Sequence, residues 1–268
     1  MSAGDALLPL ALVLASMLAV MATAWLTQRA VRDTGWVDVF WTFGSGAMLA
    51  LAALWPSDAA LPERQWLAAA VAVVWAGRLG VYVASRVAKG PEDSRYAQLR
   101  RLWGADYQRR LFGFVLIQAP ATTLLALSVF TAAHAGEPTL GWRDLIAVLI
   151  LAIGIGGEAL ADEQMRRFKA TPGHGPIMDQ GLWSWSRHPN YFFQWFGWLA
   201  WPVMALDLAE PFTLTTLVAP AVMYLILRHG SGVPPLERTM LESRGETFRD
   251  YQSRVSVFFP LPPRRVRP

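Results

Sequence analysis

Long apolar runs separated by short polar stretches dominate the pattern along the chain. Seven runs come near the ~20 residues that a helix needs to cross a bilayer. They cover residues 6–27, 36–55, 66–87, 111–132, 145–161, 191–206 and 212–227. The pattern predicts an all-α polytopic membrane protein with seven transmembrane helices, built as a single domain over residues 1–268. Residues 22–24 resemble a signal-peptidase site, but the first run lacks a basic leader, so we expect it to be retained as a helix.

Basic residues alternate between the loops. Lysine and arginine crowd the third loop, the fifth loop and the segment after the seventh run, whereas the second, fourth and sixth loops carry only Arg64 and Arg143. By the positive-inside rule, this alternation predicts an N-terminus outside and a C-terminus in the cytoplasm. We therefore expect an integral protein of the bacterial inner membrane whose functional face is cytoplasmic.

The composition excludes several kinds of site. The chain has no cysteine, which rules out disulfides, thiolate nucleophiles and cysteine metal ligands, and its four histidines show no metal-ligand spacing. The formal net charge is +4, but membrane topology explains where the charges fall, so nucleic-acid binding is not expected. A glycine-rich run at 154–157 lies inside an apolar stretch with no preceding strand, and so predicts close helix packing rather than a dinucleotide fingerprint.

Residues 181–191 form the most distinctive polar cluster, at the start of the sixth run. Arg187, His188 and Asn190 surround a proline there. Cationic and amide donors at the edge of a membrane are suited to an anionic cofactor. The alternative is an interfacial helix start, with Arg187 and His188 facing lipid headgroups and Asn190 capping the helix.

Asp38 is a carboxylate inside the second run, where an isolated charge is costly. Desolvation could keep it neutral, and a neutral carboxylic acid in an apolar pocket is a proton donor. Alternatively, Asp38 forms an ion pair with Arg78, which lies inside the third run. The two interpretations are compatible.

A second set of charges follows the fifth run. Glu158, Asp162, Arg166 and Lys169 are spaced by four, four and three residues, so they share one face of a predicted helix. One interpretation is a ladder of ion pairs, above all between Asp162 and Arg166; the other is contact with the ribose and phosphates of a nucleotide. In the basic tail, residues 235–255 predict an amphipathic helix that either lies on the membrane surface or folds over a cytoplasmic cavity as a lid.

Taken together, these segments resemble the steroid 5α-reductase family, in its bacterial membrane branch, over nearly the whole chain. The strongest parts of the resemblance are residues 35–41, 89–96, 158–169, 181–191 and 236–260. The element around Arg187 also resembles membrane methyltransferases of the isoprenylcysteine type and sterol C14 reductases. The Asp38 segment and the stripe around Asp162 favour the reductase.

The resemblance implies NADPH bound from the cytoplasm and reduction of the Δ4 double bond of a 3-oxo steroid or a similar lipophilic enone by a monomer. Loops 88–110 and 162–190 and the tail 228–268 are expected to cover the cofactor. The implied cofactor contacts are Lys89, Arg95, Tyr96, Glu158, Asp162, Arg166, Lys169, Arg187, His188, Asn190, Tyr191, Glu237, Arg238, Arg244 and Tyr251.

The implied catalytic residues are Asp38, Tyr82 and Arg78. Asp38 falls where eukaryotic members place a catalytic glutamate, whereas their catalytic tyrosine has no clear counterpart: the third run offers Trp75 nearest that position, with Tyr82 two turns on. Gln194 also replaces the glutamate that usually follows the equivalent of Asn190. An enone accepts hydride at its β carbon when the developing enolate oxygen is stabilised, which is the role expected of these groups.

Two other classes of function stay open at this point. A methyltransferase using S-adenosylmethionine on a lipid acceptor would reuse the cluster around Arg187. A non-enzymatic lipid-binding membrane protein would use the polar stripe as a packing network only. Cofactor preference separates all three hypotheses.

Overall fold

The computed structural model describes residues 3–57, 60–90, 93–135 and 139–264, and these residues form helices without strands. Pro91 and Glu92 of the predicted loop 89–96 lie outside the described residues. The helices are α1 (Ala3–Val31), α2 (Trp36–Ala53), α3 (Pro62–Lys89), α4 (Ser94–Trp103), α5 (Tyr107–Leu116), α6 (Gln118–His134), α7 (Trp142–Ala170), α8 (Pro189–Trp198), α9 (Ala200–Ala205), α10 (Val218–Tyr224) and α11 (Val233–Arg254). Short 3₁₀ turns cover Gly104–Asp106, Gly181–Ser184 and Pro211–Leu217, and a π turn covers Leu225–His229.

Six helical stretches are long and apolar enough to cross a membrane. They are Gly4–Val31, Trp36–Ala53, Pro62–Lys89, Arg95–His134, Trp142–Ala170 and Pro211–Arg254. The predicted run 191–206 is missing from this set because the chain breaks into two short helices, α8 and α9, at Leu199. Both sides of the break are equally apolar, so hydropathy does not detect it.

The chain divides into two compact units. Unit 1 comprises residues 1–147 and 201–222, and unit 2 comprises residues 148–200 and 223–268. In unit 1, α2 packs against α1, α3 and α6. A Cβ atom on Gly46 would lie 2.1 Å from the Cβ of Ala76, so glycine allows α2 and α3 to approach closely. Thr122 of α6 accepts a hydrogen bond from the Trp41 indole of α2 at 3.0 Å.

Arg64 and Arg143, the two basic residues of the second and fourth loops, both have partners in unit 1. Arg64 forms a buried ion pair with Asp144 (2.8 Å). Arg143 donates hydrogen bonds to the carbonyl oxygens of Val203 and Leu206, at the end of α9. Their positions reflect helix-end contacts, which explains why they depart from the charge alternation.

In unit 2, α7 and α8 cross at a glycine contact. A Cβ atom on Gly154 would lie 2.9 Å from the Cα of Gly197, and one on Gly157 would lie 2.3 Å from the Phe193 ring. This confirms the prediction that the glycine run serves helix packing. The predicted tail helix is also present, but Gly245 interrupts it with a φ of +52°.

Candidate functional site

The first candidate site lies in unit 1, around Asp38 in the first turn of α2. The Asp38 carboxylate accepts one hydrogen bond from the Arg95 guanidinium at 2.8 Å and another from the Tyr96 hydroxyl at 2.7 Å. Tyr96 is buried, and the side chains of the ion pair are each less than a quarter exposed. The structure therefore places Arg95 and Tyr96, which were expected at the cofactor, on the carboxylate that was expected to be catalytic.

Asp93 holds Arg95 in this position. It caps the N-terminus of α4 by accepting from the Arg95 backbone N–H, and its carboxylate also accepts from the Arg95 guanidinium at 2.9 and 3.0 Å. Arg86 adds a further contact at 3.0 Å. Burial raises the pKa of Asp93, but the hydrogen bond and charge of Arg95 and the charge of Arg86 outweigh it and lower the pKa to about 2. Asp93 was not among the predicted site residues, although an Asp two residues before a helical Arg is a recognisable cap signal.

The other two predicted catalytic residues lie together on α3. The Arg78 guanidinium sits 5.5 Å from the centre of the Tyr82 ring, in a cation–π contact. Tyr82 also packs beside the buried cluster of Val39, Val83 and Val87, next to α2. Trp75, at the position nearest the expected tyrosine, is buried in the core edge-on to a second indole. Lys89, at the end of α3, is exposed.

In the unit 1 cluster, the Asp38 carboxylate is the hydrogen-bond acceptor, and Arg95 and Tyr96 are the donors that contact it. Asp38 in this geometry accepts from two groups, which differs from the expectation of a neutral acid that donates. The Tyr96 hydroxyl has one proton, which Asp38 accepts, whereas the Arg95 guanidinium carries five N–H donors, so Arg95 is the group of this cluster able to donate to a carbonyl oxygen while the contacts to Asp38 are kept.

The second candidate site lies in unit 2, where Arg187 joins the loop 181–188 to the tail. Its guanidinium contacts both carboxylate oxygens of Glu237 at 2.7 and 3.2 Å, and donates to the backbone carbonyls of Gln252 (3.1 Å) and Val255 (2.6 Å). The Arg187 and Glu237 side chains are 10% and 14% exposed. Arg187, expected to bind a cofactor, is thus a buried structural bridge in this geometry.

His188 belongs to the same bridge. Its Nε2 lies 3.2 Å from Glu237, and its ring stacks on Tyr191 at 5.6 Å between centroids. Burial lowers the pKa of His188 from its usual value, although the hydrogen bond to Glu237 opposes this; the charges of Arg187 and Arg228 lower it further. The imidazole is therefore a neutral donor near pH 7.

The polar stripe on α7 divides into a buried and an exposed half. Glu158 and Asp162 are buried, and Asp162 accepts a hydrogen bond from the Asn190 amide at 3.2 Å. Arg166 contacts Glu163 at 2.6 Å, whereas the ladder interpretation had paired it with Asp162. Lys169 is exposed, one turn further on.

On the tail, the predicted residues serve different purposes. The Tyr251 hydroxyl donates to the Trp183 carbonyl oxygen at 2.6 Å and so anchors α11 to the loop. Arg238 is exposed and Arg244 half-buried, and neither forms an ion pair with any carboxylate among the described residues. Arg228 is a third such cation, near enough to His188 to affect its pKa. Sequence reasoning counted Arg228 only as a topology signal.

A family profile described as a protein of unknown function, DUF1295, matches residues 24–255 of the chain. The match includes both clusters. No curated protein and no solved structure matches the chain.

Proposed function

Because the chain belongs to the DUF1295 family, which is related to steroid 5α-reductase-like membrane proteins, we propose that it is an NADPH-dependent reductase of lipophilic enones. A 3-oxo-Δ4 steroid represents the substrate class. The observation that carries the proposal is the contact of Asp38 with Tyr96 and Arg95 in a membrane helix, because an enone oxygen needs oriented donors in an apolar setting.

In this proposal, the Arg95 guanidinium donates a hydrogen bond to the ketone oxygen as it becomes an enolate, and Tyr96 turns its one hydroxyl proton from Asp38 to the same oxygen when the substrate binds. Asp38 holds both donors in place before the substrate binds, and Asp93 continues to hold Arg95 afterwards. Tyr82 and Arg78 line α3 beside α2 and contribute the apolar and cationic surroundings. The enolate then takes up a proton from water at its α carbon, which gives the saturated ketone.

The donor set of unit 2 fits an anionic dinucleotide. Arg228, Arg238 and Arg244 are cations without ion-pair partners among the described residues, and a phosphate needs such groups. Asp162 and Asn190 offer acceptor and donor groups for ribose hydroxyls or a carboxamide. NADPH supplies a hydride when bound. Four residues then hold the loop 181–188 and the tail in place: Arg187, His188, Glu237 and Tyr251. Glu158 belongs to the polar stripe of α7, and the Tyr191 ring stacks on His188.

The finer topology is also part of the proposal. We assign the interrupted pair α8–α9 as a seventh span, with the N-terminus outside, the C-terminus cytoplasmic and the protein in a bacterial inner membrane. The 17 residues from Pro189 to Ala205 are apolar apart from Asn190 and Gln194, and their helical length approaches the thickness of the bilayer core.

The experiment that tests the cofactor compares melting temperatures of the purified protein with NADPH, NADH and S-adenosylmethionine. At ~100 times Kd, a ligand stabilises the native state by ~2.7 kcal/mol, which gives a measurable shift. We expect the largest shift with NADPH, reduced in Arg238→Ala and Arg244→Ala. A shift with S-adenosylmethionine alone overturns the reductase in favour of a methyltransferase.

The experiment that tests the chemistry measures turnover of a 3-oxo-Δ4 steroid by Asp38→Leu and Tyr96→Phe. We expect each to lose ~10²–10⁴-fold in turnover while the NADPH-induced melting shift is retained. Asp33→Asn is the control, because Asp33 accepts a hydrogen bond from the Gly35 N–H just before α2 and has no hydrogen bond to Asp38, Arg95 or Tyr96. Full activity in both test variants overturns the assignment.

A further inference from the structure

Unit 2 contains an apolar groove that neither polar cluster uses. The groove has a volume of about 480 Å³ and is lined by Leu160 of α7, Phe193 of α8, Trp185 of the loop and Pro260 of the tail, among others. This volume lies within the range of small-molecule sites, ~300–1,000 Å³. The walls are almost entirely apolar, so an occupant must be apolar as well.

Hydrogen bonds fix the walls of the groove. The Trp183 indole donates to the Ala161 carbonyl oxygen at 3.1 Å, and the Gln164 side chain accepts from the Leu182 backbone N–H at 3.0 Å. On the far side, the Leu261 backbone N–H donates to the Trp185 carbonyl oxygen at 3.0 Å. Hydrogen bonds therefore hold together the three segments that form the groove: α7, the loop 181–188 and the tail.

The groove continues an exposed apolar stripe on α7. Leu149, Ile153 and Leu160 are 51%, 53% and 51% exposed. Their spacing of four and seven residues places them on one helix face. In a membrane-spanning helix such a face contacts lipid acyl chains, and this face leads directly into the groove at Leu160.

Positive charge lies beyond the apolar stripe on the same helix. Arg167 follows Leu160 by seven residues and so shares its face. Arg166 and Arg167 are 64% and 76% exposed, and both pair with the single carboxylate of Glu163. Two cations facing one carboxylate leave a net positive charge, which is complementary to an anionic headgroup.

We propose that the groove binds an acyl chain of one anionic phospholipid, whose phosphate is held by Arg166 and Arg167. Trp185, 47% exposed at the rim, supplies the aromatic contact typical of the membrane interface. The inference goes beyond the proposed reduction and does not depend on it, because lipid binding requires neither NADPH nor an enone.

The test is native mass spectrometry of the detergent-purified protein titrated with phosphatidylglycerol or phosphatidylcholine of identical acyl chains. We expect one phosphatidylglycerol to bind about tenfold more tightly than phosphatidylcholine. Leu160→Trp, which fills the groove mouth, should abolish the tight site for both lipids. The double variant Arg166→Gln/Arg167→Gln should abolish the preference for phosphatidylglycerol.

Each variant has a matched control. Leu149→Trp alters a residue of the same stripe. Leu149 is 51% exposed, as Leu160 is, but it does not line the groove. Arg109→Gln/Arg110→Gln alters two exposed arginines that likewise share one carboxylate, Asp106. Both controls should bind lipid like the wild type. Equal affinity for the two lipids, or equal effects of a variant and its control, overturns the proposal.

Discussion

At the scale of single residues, Arg187 shows how one side chain ties a loop to a distant tail. A guanidinium carries five donors in a fixed fork, and here they meet one carboxylate and two backbone carbonyls in a buried setting. Removing it leaves Glu237 charged and those acceptors without their donor. The residue is therefore needed for unit 2 to hold its shape.

We expect Arg187→Ala to destabilise the protein by ~3–5 kcal/mol, as breaking a buried ion pair typically does. The measurement is the melting temperature in detergent. Arg238→Ala is the control, because Arg238 is exposed and should leave the melting temperature unchanged. If Arg187→Ala had the melting temperature of the wild type, the structural role would be contradicted. Direct contact with the cofactor would then be the expected role of Arg187.

His188 makes stability depend on pH. Because burial lowers its pKa from 6.5, the unfolded chain takes up a proton as pH falls through 6.5 while the folded protein does not. Stability from this residue is therefore complete above pH 6.5 and declines below it, by at most ~1.4 kcal/mol per pH unit. Melting temperatures between pH 8 and 5.5 should fall less in His188→Gln, which does not titrate; identical slopes would show that His188 is not responsible.

At the scale of elements, the crossing of α7 and α8 depends on the absence of side chains. We expect Gly154→Ala to destabilise by ~1–3 kcal/mol, because its Cβ would meet the Gly197 backbone at 2.9 Å, which cannot move aside as a side chain could. Gly156→Ala is the control: nothing lies within 4 Å of its Cβ position. Alanine also favours helix, so this variant should melt at or above the wild-type temperature. Equal destabilisation of the two variants would refute the packing argument.

The helices themselves were largely predictable, and their interruptions were not. Runs of apolar residues predicted α1, α2 and α3 to within four residues, whereas α7 continues nine residues beyond its apolar run, through the charged stripe that was predicted to share one helix face. The break at Leu199 lies between apolar residues and the break at Ile117 directly before Gln118, so hydropathy marks them weakly; the sequence signal they share is a proline three residues later, Pro120 and Pro202. Charges inside the membrane identified Asp38, but its partner Arg95 lies 57 residues away, a pairing that composition and spacing do not encode.

At the scale of the whole molecule, the number of spans decides which loops share a side of the membrane. If α8–α9 crosses the bilayer, Leu208 lies opposite both Gly175 and Ser243; if it does not, Leu208 and Gly175 share a side. The chain has no cysteine, so each position can carry a single reporter thiol.

We expect a membrane-impermeant maleimide on intact cells to label Leu208→Cys, and to label Gly175→Cys and Ser243→Cys only after lysis. All three positions are exposed. Labelling of Leu208→Cys and Gly175→Cys under the same condition would refute the seventh span, and labelling of Gly175→Cys but not Leu208→Cys on intact cells would reverse the assigned orientation.

The bridge through Arg187 also has a consequence for biogenesis. Its acceptor on Val255 is made 68 residues after the arginine itself. At translation rates of ~5–20 residues per second, the loop waits roughly 3–14 s for its partner. The counter-charge, Glu237, is made 50 residues after Arg187, but the bridge is incomplete until the Val255 carbonyl follows, so the nascent protein is exposed to membrane quality control until its last helix emerges. Ribosome pausing in the tail should therefore lower the yield of folded protein more than pausing in the first helices.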